Sequence, residues 1–345
     1  MKWLRFHRDR PAKARLKPGG IIGLPRAMMF YHLFPLWKSF WEDLGFSVLV
    51  SPVTNADIME QGKTLTQSDL CLPIKTLLGH ILWLKDKAEA LFMPRLISIE
   101  EGAYLCPKIL GINDVLRNLI PDLPLLMEPM INYKGPKRFT MKDSFFTLAR
   151  EFDMDWPAVE TAYEKALSLW HSHQECLPSC RGIPQALLPK DMASFLFPPR
   201  APRPRFRLGI IGRPYVLFDP VLSHQLLKKL TGREAEVFCY QSVSPQELQV
   251  LAGRLPKKVY WSLGKDLVAA SLVFGEKPWI DGVINVSSFA CGQDAFTSYL
   301  IEHYQQVPTA KPFLSLVLDE HSSEVGLNTR LEAFFDVLET QSHSR

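Results

Sequence analysis

Short apolar runs alternate with longer amphipathic stretches along most of the chain. This alternation predicts parallel strands joined by crossover helices. Gly20-Ile-Ile-Gly-Leu-Pro25 reads as a buried strand ending in a turn, Arg26 to Leu44 as an amphipathic helix, and Phe46-Ser-Val-Leu-Val50 as the next strand, closed by Ser51-Pro52. The helix is rich in aromatic residues, among them Phe30, Phe34, Trp37, Phe40 and Trp41, and Gly45 suits its C-terminal cap. Pro35 inside it predicts a kink or a break, because proline lacks the N–H donor and crowds the preceding turn. The same order returns with Arg207-Leu-Gly-Ile-Ile-Gly-Arg-Pro214 as strand and turn, Val221 to Leu230 as helix, Ala235 to Tyr240 as strand, and Ser244-Pro245. The pair G-I-I-G-L-P and G-I-I-G-R-P points to two related halves, although short apolar strands of this kind also arise by chance.

The rest of each half follows the same grammar. A helix is predicted from near Leu72, a buried strand over Ala90 to Ile97, and a helix over Ile109 to Leu119. Leu125 to Met130 reads as one more strand or an extended crossing. Residues 140–175 carry apolar positions at helical spacing, with Asp155 as an N-cap ahead of Trp156-Pro157. Phe197 to Pro204 is a stiff proline-rich linker. Trp279 to Val286 and Lys311 to Leu318 are the later strands, and Leu331 to Leu338 is a closing helix. The expected fold class is α/β, two flavodoxin-like (Rossmann-like) lobes with parallel sheets and a helical connecting segment. The expected boundaries are a basic tail over 1–18, a first lobe over 19–135, a helical segment and linker over 136–205, and a second lobe over 206–345.

A chain of 345 residues exceeds the usual single core, in keeping with two lobes. The net charge is only +4, and much of it lies in the first seventeen residues, so the tail reads as solvated rather than as a nucleic-acid patch. No apolar run approaches the ~18 residues of a membrane span, and the N-terminus lacks an apolar signal core, so the expectation is a cytoplasmic protein engaging neither membrane nor nucleic acid. Six cysteines in such a chain argue for metal, redox or core roles rather than a disulfide framework.

Three cysteines share one setting. Cys71 opens a helix, Cys106 lies between a strand and a helix next to Pro107, and Cys291 follows a strand and precedes a helix. In open parallel sheets this is the ligand-binding edge. Helix N-termini there favour thiolate over thiol, and thiolates bind soft metals and iron–sulfur clusters. The competing reading is three separate buried thiols, since no C-x-x-C pair of ferredoxin or zinc type is present.

The stretches Gly23-Leu-Pro-Arg-Ala27, Cys71-Leu-Pro-Ile-Lys75, Cys106-Pro-Lys108, Ser288-Phe-Ala-Cys-Gly-Gln-Asp294 and Asp319-Glu-His-Ser-Ser-Glu-Val-Gly326 resemble the 2-hydroxyacyl-CoA dehydratase family, most of all its activase-related and double-cubane branch. The resemblance spans roughly 20–340. It implies flavodoxin-like lobes and an oxygen-sensitive [4Fe–4S]-type iron–sulfur cluster, possible as half of a double-cubane cluster, with Cys71, Cys106 and Cys291 as its ligands. It also implies electrons from an ATP-dependent activase, a homodimer or a heterodimer with a related subunit, and a CoA thioester or other small molecule as substrate. The chain carries neither G-x-x-x-x-G-K-[ST] nor G-x-G-x-x-G, so ATP chemistry would fall to the partner.

Around these cysteines, Glu101, Glu320 and His321 are the candidate proton-transfer residues, with Glu100, Tyr104 and Asp319 beside them, and solvated or capping carboxylates as the alternative. Ser287 and Ser288 are candidate hydrogen-bond donors to a cluster, or caps of the following helix. The expected function is low-potential reduction or radical dehydration; the alternative is a non-catalytic electron-transfer or regulatory partner of an activase. A third reading is a zinc site at His171, His173, Cys176 and Cys180, whose spacing matches no usual finger. Cys239 reads as core.

Overall fold

The computed structural model describes residues 16–66, 70–134, 138–176, 204–306 and 311–343. The first half contains β1 (Ile21–Leu24), α1 (Phe30–Asp43), β2 (Ser47–Val50), α2 (Ala56–Thr64), α3 (Leu72–Lys85), β3 (Ala90–Phe92), β4 (Arg95–Ser98), α4 (Pro107–Leu119), β5 (Leu125–Met127) and β6 (Met130–Asn132). Two helices follow, α5 (Met141–Glu151) and α6 (Trp156–Cys176). The second half contains β7 (Phe206–Gly212), α7 (Pro214–Leu217), α8 (Leu226–Thr231), β8 (Ala235–Cys239), α9 (Pro245–Gly253), α10 (Ser262–Glu276), β9 (Gly282–Ser288), α11 (Gly292–Gln306), β10 (Phe313–Leu318) and α12 (Glu324–His343).

The two main sheets have four parallel strands each, in the orders β2-β1-β3-β5 and β8-β7-β9-β10. Each places its second strand outside its first and its later strands on the other side. The fold is therefore α/β with flavodoxin-like sheets, and the two G-I-I-G strands, β1 and β7, hold the same interior place in each. The strand order reverses beside β1 and β7, and in such sheets ligands bind beyond the carboxyl ends at that point.

The apolar run over Ala90 to Ile97 is two strands rather than one. β3 stays in the main sheet, and β4 pairs with β6 in a separate two-stranded sheet. The change occurs at Pro94, and its neighbour breaks in step at Pro129. Proline has no N–H to give a ladder, so both strands leave the main sheet together. Met93 N–H still donates to Met127 O (2.9 Å), and Arg95 N–H to Pro129 O (2.9 Å), across the break.

Pro35 does not break α1. The aromatic side chains Phe30, Phe34, Phe40 and Trp41 are fully buried, and that burial offsets one lost backbone bond. The helix ends as predicted at Gly45 (φ +81°), with Gly45 N–H on Glu42 O (3.0 Å) and Phe46 N–H on Trp41 O (3.0 Å). Asp155 caps α6 through Ala158 N–H (3.2 Å). The helix expected over Val221 to Leu230 starts only at Leu226. The Asp219 carboxylate accepts from the N–H groups of Val221 (2.9 Å) and Leu222 (3.0 Å), winding those residues into a turn instead. Among the described residues no helix is long and apolar enough to cross a membrane.

The halves meet through specific polar contacts. Tyr104 N–H donates to Tyr260 O (2.7 Å), and Ser262 N–H to Tyr104 O (3.0 Å). Asp219 from the second half accepts from Thr54 and Tyr31 of the first, and Thr54 Oγ1 lies 3.0 Å from His80 Nε2.

Candidate functional site

Each of the three cysteines occupies the turn entering a helix. Cys71 is the N-cap of α3 and Cys106 the N-cap of α4, both with extended backbone and a proline in the first helical turn. Proline fits there because its missing N–H would find no helical partner. Cys291 precedes α11, and its C=O accepts from Ala295 N–H (3.0 Å). Ala290 just before it has φ +58°, a left-handed conformation that costs a non-glycine residue energy.

Two lysines from the first half reach these turns from across the molecule. Lys75, one turn after Cys71, is buried, and its Nζ lies 2.7 Å from Glu320 Oε2. Lys108, two residues after Cys106, donates from Nζ to Ala290 O at 3.4 Å. The turns carrying Cys71 and Cys106 are thereby joined to the ends of β10 and β9. The charge state of each thiol is felt by its neighbours: Cys106 acts on Cys71, Cys71 acts on Cys291, and both Cys106 and Cys291 act on Tyr215.

At Cys71 and Cys291 burial acts against the thiolate. Burial pushes the Cys71 thiol up, against the pull of Lys108 and the Ile74 N–H. Burial, followed by the Asp294 carboxylate, pushes Cys291 up to about 12, against the pull of Arg213. At these two cysteines desolvation outweighs the helix terminus.

Behind Cys291 lies a buried charged group. The Arg213 guanidinium pairs with Asp294 through Nε, and its Nη2 donates to Gln293 Oε1 at 3.3 Å. The other Asp294 oxygen accepts from Ser288 N–H (3.1 Å), so the carboxylate ties α11 back to the end of β9. Tyr215, also buried, faces the same arginine and aspartate. Arg213 directly follows β7, as Arg26 follows β1 closely. Arg26 is buried too, with its Nε on Ser51 O (3.2 Å) and its N–H on Ser51 Oγ (2.8 Å).

The other sequence candidates have definite places. Ser287 Oγ donates to Leu316 O (3.3 Å) and Ser288 Oγ to Phe289 O (3.4 Å), so both hydroxyls are turned to backbone. Glu320 is held by Lys75, and His321 is exposed beside it, with Nε2 at 3.7 Å from Glu320 Oε1. Asp319 serves its own turn, accepting from His321 N–H (2.9 Å) and Ser322 Oγ (2.9 Å). Glu101 pairs with Arg138 on the surface, and Glu100 with Lys265 (2.6 Å). Tyr104 lies with Lys134 Nζ 4.5 Å from its ring centre.

The sequence assigned no role to Lys75, Lys108, Arg213, Tyr215 or Asp294. All but Tyr215 lie inside the stretches quoted above, and for Lys75, Lys108 and Asp294 the short spacing from a cysteine was the available signal. Tyr215 carried none. In the His171–Cys180 stretch, Cys180 and the Cys176 side chain fall outside the described residues. His173 is buried, and burial lowers its pKa to about 4. Among the described residues no group of three or more His, Cys, Asp and Glu side chains converges closely enough to hold one metal ion.

No curated protein matches the chain. The family described as the CoA enzyme activase uncharacterised domain matches residues 21–243, a span that includes Cys71, Cys106 and Arg213 and ends before Cys291. With well over half of its residues matched, the chain belongs to this activase-related family.

Proposed function

We propose that the chain is an iron–sulfur protein of the 2-hydroxyacyl-CoA dehydratase type, with Cys71, Cys106 and Cys291 as the ligands of one [4Fe–4S]-type cluster. What supports this reading is that three helix-entry cysteines from both halves lie near enough to act on one another electrostatically, Cys106 on Cys71 and Cys71 on Cys291, with Lys75–Glu320 and Lys108–Ala290 joining the two halves beside them. Cysteines that do not converge on one ion still suit a cluster, since each thiolate binds a different iron. When bound, the cluster would supply low-potential electron transfer, with electrons from an ATP-dependent activase.

The chain's own residues supply the rest. Helix N-termini and Lys108 favour anionic sulfur once a metal cation offsets the cost of burial. The Arg213–Asp294 pair holds the Cys291 turn in place from behind. Glu320 and His321 stand at the end of β10, within one residue of the Lys75 clamp, where a proton can be held or passed. A CoA thioester as substrate, and a second copy or a related subunit closing the site, complete the reading.

One observation favours the second reading, a non-catalytic electron-transfer or regulatory partner. Glu101 is paired with Arg138 and Glu320 with Lys75, so two of the three proton-transfer candidates already hold a cation. The test is strictly anaerobic purification, followed by iron and sulfide counting on wild type and Cys106→Ser. Wild type should carry iron and sulfide in equal amounts with cluster absorption, and Cys106→Ser should lose most of both. Iron-free wild type would sink the proposal. Turnover of the activase-reduced protein with a 2-hydroxyacyl-CoA then separates the two readings.

A further inference from the structure

A charged cluster crosses between the halves beside the backbone bonds that join Tyr104 to Tyr260 and Ser262. Lys265, in the first turn of α10, places Nζ 2.6 Å from Glu100 Oε2 of the first half. The same Nζ lies 3.8 Å from Oδ1 of Asp266 on its own helix. Two carboxyl groups from opposite halves therefore share one ammonium. All three side chains line an open cavity of about 520 Å³. They keep 35% (Glu100), 27% (Lys265) and 29% (Asp266) of their surface exposed, so the cluster exchanges protons with bulk water.

One ammonium neutralises one carboxylate. With both carboxyl groups ionised, the second charge repels the first and competes for the same lysine. Burial pushes the Asp266 carboxyl up to about 7; Lys265 pulls it down and Glu100 pushes it further up. The other groups around this cavity offer no second cation among the described residues. Tyr240, from the turn after β8, is buried, and its hydroxyl is pushed up by burial and then by Asp266. His32 of α1 stays neutral, with its pKa lowered to about 4 by burial. Glu101 is paired with Arg138, and Gln174 of α6, Gln241 and Gln249 of α9 carry no charge.

We propose that a proton on Asp266 fastens the two halves together at this seam, and that losing it loosens them. With Asp266 neutral, Lys265 belongs to Glu100 alone and the cross-half ion pair is undivided. With Asp266 ionised, Lys265 is shared and Glu100 faces a like charge. The sign follows from the shift: a carboxyl whose value is higher in the closed seam than in water holds the seam most firmly in acid, and that contribution is lost as pH rises through about 7. The device stands apart from the cysteine turns, and its failure would leave the iron–sulfur reading untouched.

The test is hydrogen exchange of the full chain, read residue by residue at pH 6 and pH 8 and corrected for the intrinsic rate. The reporters are the Tyr104 and Ser262 amides, whose hydrogen bonds cross the seam. Their protection in wild type should fall by roughly tenfold from pH 6 to pH 8. The Val283 amide, bonded to Pro312 O (2.9 Å) within the second half, should keep its protection and serves as the control against global loosening. Asp266→Asn keeps the shape without an ionisable proton, so it should hold the pH 6 protection at pH 8. Equal seam protection at the two pH values in wild type would overturn the proposal, and this readout stands even if the variant misfolds. So would a fall shared equally by Val283, or a folded Asp266→Asn that keeps the wild-type fall.

Discussion

Asp294→Asn isolates the buried charge behind the Cys291 turn. Arg213 and Asp294 expose only 2% and 5% of their side chains, so neither charge is screened by water. Removing one partner of a buried pair costs about 3–5 kcal/mol, because the other charge is left uncompensated. The asparagine keeps some of the original contacts. Its Oδ1 can still accept from Ser288 N–H, and Gln293 Oε1 still accepts from Arg213 at 3.3 Å. The expected loss is therefore at the low end, about 3 kcal/mol. Urea unfolding followed by tryptophan fluorescence measures it, with eight tryptophans as reporters. The diagnostic companion is Arg213→Met with Asp294→Leu. With both charges gone nothing remains unpaired, so the double variant should be more stable than Asp294→Asn by about 1 kcal/mol or more. A loss below about 1 kcal/mol in Asp294→Asn, or a double variant as unstable as the sum of its singles, would refute the reasoning.

Two further outcomes follow from packing and burial. A Cβ at Gly79 would lie 1.9 Å from Ile58 O, whereas one at Gly111 meets nothing within 4 Å. Gly79→Ala should therefore force α2 and α3 apart and cost about 3 kcal/mol, while Gly111→Ala in α4 should gain about 0.5–1 kcal/mol from helix propensity; equal thermal shifts for the two would contradict the close crossing. His80 has its pKa lowered to about 3 by burial and then by Arg26, so the folded state rejects a proton that the unfolded state accepts below about 6.5. Stability should be full above that pH and fall as pH drops toward 3. The loss from His80 is on the order of 2 kcal/mol at pH 5, and His80→Gln should flatten that slope in denaturant titrations at pH 5 and pH 7.5.

The strands were legible because a buried parallel strand is a short run of apolar residues, and β1, β2, β7, β9 and β10 each fall within a residue or a few of the expected runs. The pattern could not show that Ala90 to Ile97 divides between two sheets, since apolar periodicity is indifferent to which neighbour a strand pairs with. It also missed α10, whose residues Leu263, Leu267, Val268, Ala269, Ala270 and Val273 are buried on nearly every side and so show little amphipathic contrast. The turn at 219–225 escaped it because a single carboxylate, Asp219, competes locally with the helix for backbone N–H groups.

The candidate site divides the same way. That Cys71, Cys106 and Cys291 stand at helix entries follows from the sequence, because a strand end, a proline and an apolar-periodic segment are local signals. Which groups surround them is not local. Lys75 reaches Glu320 across 245 residues and Lys108 reaches Ala290 across 182, distances along the chain at which no sequence period carries information. Burial is also a tertiary outcome: helix dipoles, a local signal, favour thiolates, whereas packing pushes the Cys71 and Cys291 thiols up. The sequence by itself determined the strands, most of the helices and the three cysteine turns. Only the folded chain decided that Arg213 and Asp294 pair behind Cys291 and that lysines of one half clamp turns of the other, because long-range electrostatics and desolvation depend on what is packed nearby in space.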